Sequence, residues 1–367
     1  MHQKNRFVTN STLKILYLLP LDDKEKGGMT AITKMFYEVG FFENKNIRHF
    51  NTIFKSGESN FTRFFESLFH KVRFIKLLIQ FRPDITFVMT SAYWGFFDKA
   101  VYCLIARCFG VKSMLNQVGD FADFYEESKW KSYCIRLALK FPNSVIIGSV
   151  FWNRYFSSHF PDLFIQSVVN PVDCNRFYKN SISEGQKIKI VSISGIIVPK
   201  GIIELVEVIK QVCERSNNFV FVIMGGGEKL EWVRTELKAE SEKGQVDIKG
   251  FVSDDEKIIE FSTADLFIML SHNEVIPISI LEAMSASLPI ISTDVGGIPD
   301  IVIEDANGFL FPRKSVTPVV NKLLDLADKR EYLKNMGLIS KSIVEKDYDV
   351  FQVLEKHILL AEELMKR

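Results

Sequence analysis

From end to end the chain alternates short apolar runs of strand character with longer stretches whose apolar residues recur at helical spacing. Parallel neighbours in a sheet need a crossover between them, usually a helix, so this alternation predicts parallel sheets with helices on both faces. In the first half the candidate strands cover residues 14–19, 85–89, 113–117, 144–148 and 167–169. In the second half they cover 188–192, 219–224, 246–249, 266–270 and 290–292. Two such sets in 367 residues, about twice what a single core usually serves, predict two Rossmann-like α/β domains. The polar stretch that follows Asn170, Pro171, Val172 and Asp173 and runs to Gly185 reads as the linker. The expected domains are therefore 1–178 and 179–345, followed by an amphipathic helix within 346–367.

A hydrophobic fraction of 47% and a charged fraction of 25% fit an ordinary globular chain. The net charge of +1 exerts no general pull on nucleic acid, so none is expected as a partner. The five cysteines, at 103, 108, 134, 174 and 213, have no zinc or redox spacing, and the six histidines have no metal-ligand spacing. No metal is expected, and a reducing cytoplasm is the simplest setting. The apolar stretch 13–21 lacks a small-residue cleavage site after it and reads as a first buried strand, not a signal peptide. No apolar run reaches the roughly 20 residues that span a bilayer.

Candidate chemistry concentrates between Ser271 and Val302. Glu274 follows the apolar run 266–270, and Glu282, eight positions on, lies in a helical pattern that opens at Pro277. Proline is tolerated in the first turn of a helix because its missing N–H would be unpaired there anyway. Glu274 is thus expected in the loop and Glu282 about one turn into the helix. Amides at such a helix start attract phosphate, and carboxylates accept hydrogen bonds from hydroxyls, so a ligand with both phosphate and sugar fits. Three more turns follow strands: Gly27 and Gly28 after Lys26, Lys200 with Gly201, and Gly225 through Gly227. Glycine admits close backbone approach to a ligand, and a lysine neutralises a diphosphate as a point charge. Each turn also has a plain reading, as a tight turn, a surface lysine or a flexible loop.

These segments, together with LEAM at 281–284, Pro289 and TDVGGIPDIV from Thr293, resemble the signature of retaining, nucleotide-sugar-dependent glycosyltransferases of family four. In that signature a glutamate is followed, after seven residues, by a second. The resemblance covers nearly the whole chain and is specific from Lys200 to Phe311. It implies the GT-B fold: two Rossmann-like domains facing an interdomain cleft, with a C-terminal helix crossing back to the first domain. It also implies hexosyl transfer from a nucleotide-diphosphate sugar to a saccharide or lipid-linked saccharide acceptor. Such family members build bacterial surface polysaccharide on the inner face of the plasma membrane, without a metal or other cofactor.

By the same resemblance Lys200 and Glu274 are the catalytic side chains, with Glu274 on hydroxyls of the transferred sugar and Glu282 on those of the ribose. Gly27, Gly28, Gly225 and Gly226 lie against the donor, and the segment at Phe251 reads the base through its backbone. The stretch Val275, Ile276, Pro277 and Ile278 holds sugar and phosphate oxygens. Gln117 and Asp120 are the acceptor-side candidates.

The chain also departs from the family pattern. Where the family usually has an arginine about five residues before the lysine, Gly195 or Ile196 stands here. Val275 and Ser287 replace common glycines, which is expected to reshape the donor-sugar pocket. Gln117 or Asn116 replaces a frequent histidine, which removes the easiest side-chain base; the departing phosphate itself can assist deprotonation, and Asp120 is the nearest side-chain alternative. These departures keep two rivals open: a catalytically silent protein that binds a nucleotide sugar or a partner enzyme, and a nucleotide-sugar epimerase.

Residues 60–83, from Asn60 to Pro83, place Phe61, Phe64, Phe65, Leu68, Phe69, Val72, Ile75, Leu78 and Ile79 on one helical stripe. Arg63, Lys71, Arg73, Lys76 and Arg82 occupy the rest, opposed only by Glu66. The stripe reads first as core beneath a basic face and second as a contact for an anionic membrane.

Overall fold

The computed structural model describes residues 7–22, 27–53, 60–91, 93–119, 121–177 and 187–367, and within residues 60–64 the backbone alone. Two parallel six-stranded sheets organise the chain. Each belongs to its own unit, Met1–Asn170 with Val350–Arg367 forming the first and Pro171–Asp349 the second.

In the first unit the strands are β1 (Ile15–Leu19), β2 (Ile47–Asn51), β3 (Ile85–Thr90), β4 (Lys112–Gln117), β5 (Ser144–Ile147) and β6 (Ile165–Ser167). Its helices up to the second unit are α1 (Gly28–Glu38), α2 (Asn60–Phe81), α3 (Trp94–Cys108), α4 (Ala122–Glu126), α5 (Lys129–Ala138) and α6 (Val150–His159). The sheet order is β2-β1-β3-β4-β5-β6, every pair parallel. β1 and β3 are buried throughout because both faces of a parallel sheet are covered, and they read accordingly as near-continuous apolar runs. Right-handed crossovers carry α1 over one face and α2, α3, α5 and α6 over the other.

The second unit has β7 (Ile188–Ile193), β8 (Phe219–Met224), β9 (Val246–Gly250), β10 (Leu266–Met269), β11 (Ile290–Thr293) and β12 (Gly308–Phe311). Its helices are α7 (Ile202–Arg215), α8 (Leu230–Glu236), α9 (Lys238–Glu242), α10 (Asp254–Ser262), α11 (Ile278–Ser285), α12 (Thr317–Asp325) and α13 (Arg330–Asp347). The order β12-β11-β10-β7-β8-β9 puts β7 beside β10, the point where the winding reverses. The core joins the buried stripe of α7, with Leu205, Val208, Ile209 and Val212, to Phe219, Phe221 and Ile268 of the sheet and Val320 and Leu323 of α12.

The last helix, α14 (Val350–Lys366), belongs to the first unit. His357 lies 4.5 Å from the Phe87 ring and 6.1 Å from Tyr17, the Lys112 ammonium donates to Leu364 O, and the Gln166 amide donates to Leu360 O. Residues 171–177, expected with the first domain, pack instead in the second. Val172 N–H donates to Tyr348 O, and the Phe177 ring lies 5.8 Å from Phe261.

Three sequence expectations change. β2, with the sequence IRHFN, and β12, with GFLF, are edge strands too polar or too short to show as apolar runs. β6 begins two residues before the expected 167–169. The α2 stripe is not mainly core: Phe74, Leu78 and Phe81 are buried, whereas Phe65, Leu68, Phe69, Val72 and Ile79 are each more than half exposed. The inward face is chosen by the rings it meets, Phe74 lying 5.7 Å from Phe50 and 5.1 Å from Tyr102. Lys71, expected on the open basic face, instead pairs with Asp98 of α3.

Candidate functional site

In open parallel sheets the ligand crevice lies beyond the carboxyl ends of the strands, where the strand order reverses. In the second unit that position is occupied by the loops after β7 and β10. The chain leaves β7, makes a 3-10 turn at Val198–Lys200, and enters α7 through Gly201 at φ 71°. A Cβ on Gly201 would stand 1.8 Å from Leu270 O, so only glycine lets the two loops touch. His272 N–H donates to Pro199 O at 2.9 Å, and the His272 ring meets Glu204 of α7 at 3.0 Å.

This stitching brings Lys200 Nζ to 2.6 Å from Glu274 Oε1, which also accepts from Ser271 Oγ at 2.9 Å. The Glu274 side chain is 10% exposed and that of Lys200 32%, so the pair sits at the floor of an open surface. Thr293 of β11 donates to Ser271 O, and Gly296 passes so close that a Cβ would stand 1.7 Å from Glu274 O. The backbone then runs through Val275 and Ile276, both with buried side chains, to Pro277 and α11. Pro277 is the residue before the helix, with φ −73° and ψ 126°, not a member of its first turn. No side chain caps α11, and the N–H groups of Ile278 and Ser279 at its start have no intrahelical partner, whereas that of Ile280 donates to Pro277 O.

Glu282 follows within α11, buried and paired with Lys257 of α10 at 2.5 Å. Burial raises its pKa above the ordinary carboxylate value, and the Lys257 ammonium works against that rise. The two glutamates, each with a side chain 10% exposed, therefore differ in their partners: Glu274 is shared by Lys200 and Ser271, while Glu282 faces Lys257.

The triple glycine adjoins the β7 loop. A Cβ on Gly225 would stand 1.9 Å from Ser194 O, one on Gly227 2.4 Å from Ile196 O, and one on Gly226 2.1 Å from the Phe251 ring. Hydrogen bonds from Ile196 N–H to Gly226 O and from Gly225 N–H to Gly250 O join the loops after β7, β8 and β9. These glycines are thus dictated by contacts within the protein. Phe251, 65% exposed over Gly226, leaves an aromatic surface open beside them.

Ser287 requires a correction. It sits at φ 58° past the carboxyl end of α11, where the chain turns into β11, with its carbonyl against Gly337. That end is opposite the one next to Glu274, so Ser287 ends a helix and shapes no donor pocket. At the arginine-like positions Gly195 is exposed and Ile196 is buried. Neither supplies a charge.

In the first unit the order reverses between β1 and β3. Gly27 precedes α1 with nothing within 4 Å of an added Cβ, and Gly28 is the first helical residue. Tyr93, in the loop after β3, has φ 63° and ψ −145°, a conformation that costs a non-glycine residue about 1–3 kcal/mol. Gln117 ends β4, buried, with its amide donating to Gly119 O at 3.1 Å and its Oε1 without a partner among the described residues. Asp120 lies outside the described residues. Ser271, His272, Gly296 and Lys257 were not singled out from sequence, because each matters through a residue distant along the chain. Among the described residues no three His, Cys, Asp or Glu side chains group to hold a metal ion.

Residues 175–342, most of the second unit, match the family model described as glycosyl transferases group 1. Over 155 residues the chain is 32% identical to the sulfoquinovosyl transferase SQD2 of Arabidopsis thaliana, a match covering 41% of this chain and 29% of that protein. Over 159 residues it is 27% identical to WcaL of Escherichia coli, a putative colanic acid biosynthesis glycosyltransferase, covering 41% of this chain and 39% of that protein. The match thus spans well under half of either relative. Anabaena Alr3699/HepE, solved with UDP, superposes with a TM-score of 0.71 at 16% identity, covering 97% of this chain and 100% of that one. The architecture is that of the GT-B glycosyltransferases, and the second unit carries a glycosyl transferases group 1 domain.

Proposed function

We propose that the chain is a retaining glycosyltransferase of family four that moves a hexosyl group from a nucleotide-diphosphate sugar to a saccharide or lipid-linked saccharide. The observation that carries this reading is the Lys200–Glu274 pair at the β7/β10 reversal, beside the uncapped start of α11. Donor phosphates take the amides of α11 and the Lys200 charge, which frees Glu274 to accept from hydroxyls of the transferred sugar. Glu282 accepts from the ribose, and the base lies along Phe251. The bond from the anomeric carbon to phosphate breaks with its electrons on the leaving oxygen. The acceptor oxygen attacks from the same face, and its proton passes to the departing phosphate. Lys200 steadies the charge that gathers there.

On the acceptor side, the reading is a lipid-linked saccharide reached from an anionic bilayer, with the protein cytoplasmic and peripheral. WcaL offers a pathway parallel in bacterial surface polysaccharide synthesis. The exposed stripe of α2 has Arg73 and Lys76 beside it; α2 packs on α3, and α3 on α5, and these two helices present Trp94, Leu104, Trp130 and Tyr133 to solvent. From Asn60 to Arg154 the chain carries 13 Lys and Arg against 7 Asp and Glu, within a chain of net charge +1. Aromatic and aliphatic side chains among basic ones suit an anionic lipid surface. Among the described residues no helix is long and apolar enough to cross a membrane.

Incubation with a panel of nucleotide sugars and membrane extract tests the transfer: nucleotide release with one donor is expected. Donor binding without release from any of them would favour the silent alternative, for which the missing charge at Gly195 speaks. Liposomes containing phosphatidylglycerol are expected to sediment the protein, and Arg73→Glu with Lys76→Glu to abolish that. Equal sedimentation of the double variant would reject the lipid surface.

A further inference from the structure

Glu282 does not stand alone. Lys257 Nζ lies 2.5 Å from its Oε1 and 3.5 Å from Asp254, and Asp254 in turn takes a 2.9 Å bond from Arg176. The Lys257 side chain is 13% exposed, with its ammonium 5.6 Å from the Phe177 ring centroid. Its place is set by a capping box: Ser253 accepts from Glu256 N–H, and the Glu256 carboxylate returns to Ser253 N–H at 2.7 Å. That box fixes the first turn of α10, and Lys257 projects from it onto α11.

We propose that Lys257 is a positioning residue of the donor site, holding the Glu282 carboxylate ionised and aimed so that it accepts from the donor's ribose hydroxyls. This rests on the donor reading given above. A carboxylate sealed from water takes up a proton unless a cation faces it, and a protonated Glu282 would lose acceptor capacity. The pair engages Oε1, and among the described residues no hydrogen bond reaches Oε2. One oxygen is thus tied to the protein and the other is left for the ligand.

The charged groups around Glu282 are few. α10 supplies Lys257 and Asp254, and the segment 171–177 supplies Arg176. On the α13 side, Glu345 and Asp349 act on Cys174, which neighbours Ser285 of α11. β10 and β11, on which α11 packs, contribute no titratable side chain. Lys257 is thus the cation in contact with Glu282, and Asp254 with Arg176 keeps it from turning outward.

The test is binding of UDP and of GDP, measured separately by calorimetry from pH 5 to 9, for the native chain, Lys257→Met, Lys257→Arg and Glu282→Gln. Lys257→Met is expected to weaken binding about tenfold or more at pH 7, and to move the acid limb of its pH profile to higher pH. Binding should recover at high pH, where Glu282 ionises unaided, and Lys257→Arg should restore the native profile. A Lys257→Met profile that superimposes on the native one, or is weakened equally at every pH, overturns the proposal. Glu282→Gln separates the layers. If it leaves binding unchanged, the donor reading itself fails. If it weakens binding while Lys257→Met does not, only the role of Lys257 is lost.

Discussion

The two units share one parallel α/β design, yet the loops beyond their strands are fitted to different tolerances. In the second unit a Cβ on Gly201, Gly225, Gly226, Gly227 or Gly296 would stand between 1.7 and 2.4 Å from a neighbouring atom. In the first, Gly27 meets nothing within 4 Å and Gly95 nothing closer than 3.4 Å. The close fit in the second unit fixes Lys200 and Glu274 relative to α11 before any ligand arrives, as a phosphate- and sugar-binding site requires. Among the described residues the first unit shows no such fit at its own reversal point, and the strain there is at Tyr93. A glycine in a motif is therefore informative only once its neighbours are known.

The sharpest way to break this contrast is at the chemistry of the second unit. Lys200→Ala and Glu274→Gln should each lower transfer about 10²- to 10³-fold in kcat, the usual effect of removing one preorganised electrostatic partner. Gln117→Ala in the first unit, measured alongside, should cost less. Equal losses would contradict the assignment of the electrostatic work to the second unit.

The backbone fit predicts the next effect. Gly296→Ala combines φ 55° with a Cβ 1.7 Å from Glu274 O, and should cost about 3 kcal/mol in denaturant unfolding. Gly27→Ala, in open space, should cost less than about 1 kcal/mol.

Acid should separate the units again. Burial lowers the His357 pKa from 6.5 to about 3 and lowers that of His49 as well, both in the first unit. The unfolded chain then binds protons that the fold refuses, so stability is full above about pH 6.5 and declines as pH falls toward 3. From pH 7 to 5, His357 alone should remove about 2 kcal/mol from the first unit. Glu282 has the opposite sign: with its folded pKa raised, its contribution is present at low pH and is lost as pH rises through that value. Calorimetric melting at pH 7 and pH 5 should show the transition of the first unit falling, and His357→Phe should reduce the fall.

The smallest effect is at Ser287. Replacing a serine at φ 58° by glycine should stabilise the second unit by about 1 kcal/mol and leave donor binding unchanged. A change in donor affinity would put the pocket back at this residue.

How much was legible follows the same division. The apolar runs of both sheets and the loop-to-helix setting of Glu274 and Glu282 could be read from sequence because each is a local pattern. β2 escaped because an edge strand buries only Ile47 and Phe50 of IRHFN. On α2 the spacing defines a face without saying which side is covered, and the buried side is that of Phe74, Leu78 and Phe81. Lys257 was invisible for a different reason, since it lies 25 residues from the glutamate it holds. No periodicity encodes that pairing. At Ser287 the replaced glycine suggests ligand approach in the sequence, whereas in the structure the residue follows the end of a helix.

The central claim is that the second unit carries a donor site built on Lys200, Glu274 and Glu282. Calorimetric titration of the full chain with UDP- and GDP-sugars, repeated with Glu282→Ala, tests it most directly. The account predicts that one of these donors binds the native chain and that Glu282→Ala weakens it about tenfold or more, the scale of lost charge-assisted hydrogen bonds. Binding of equal strength in the variant, or no binding of any nucleotide sugar to the native chain, would contradict it.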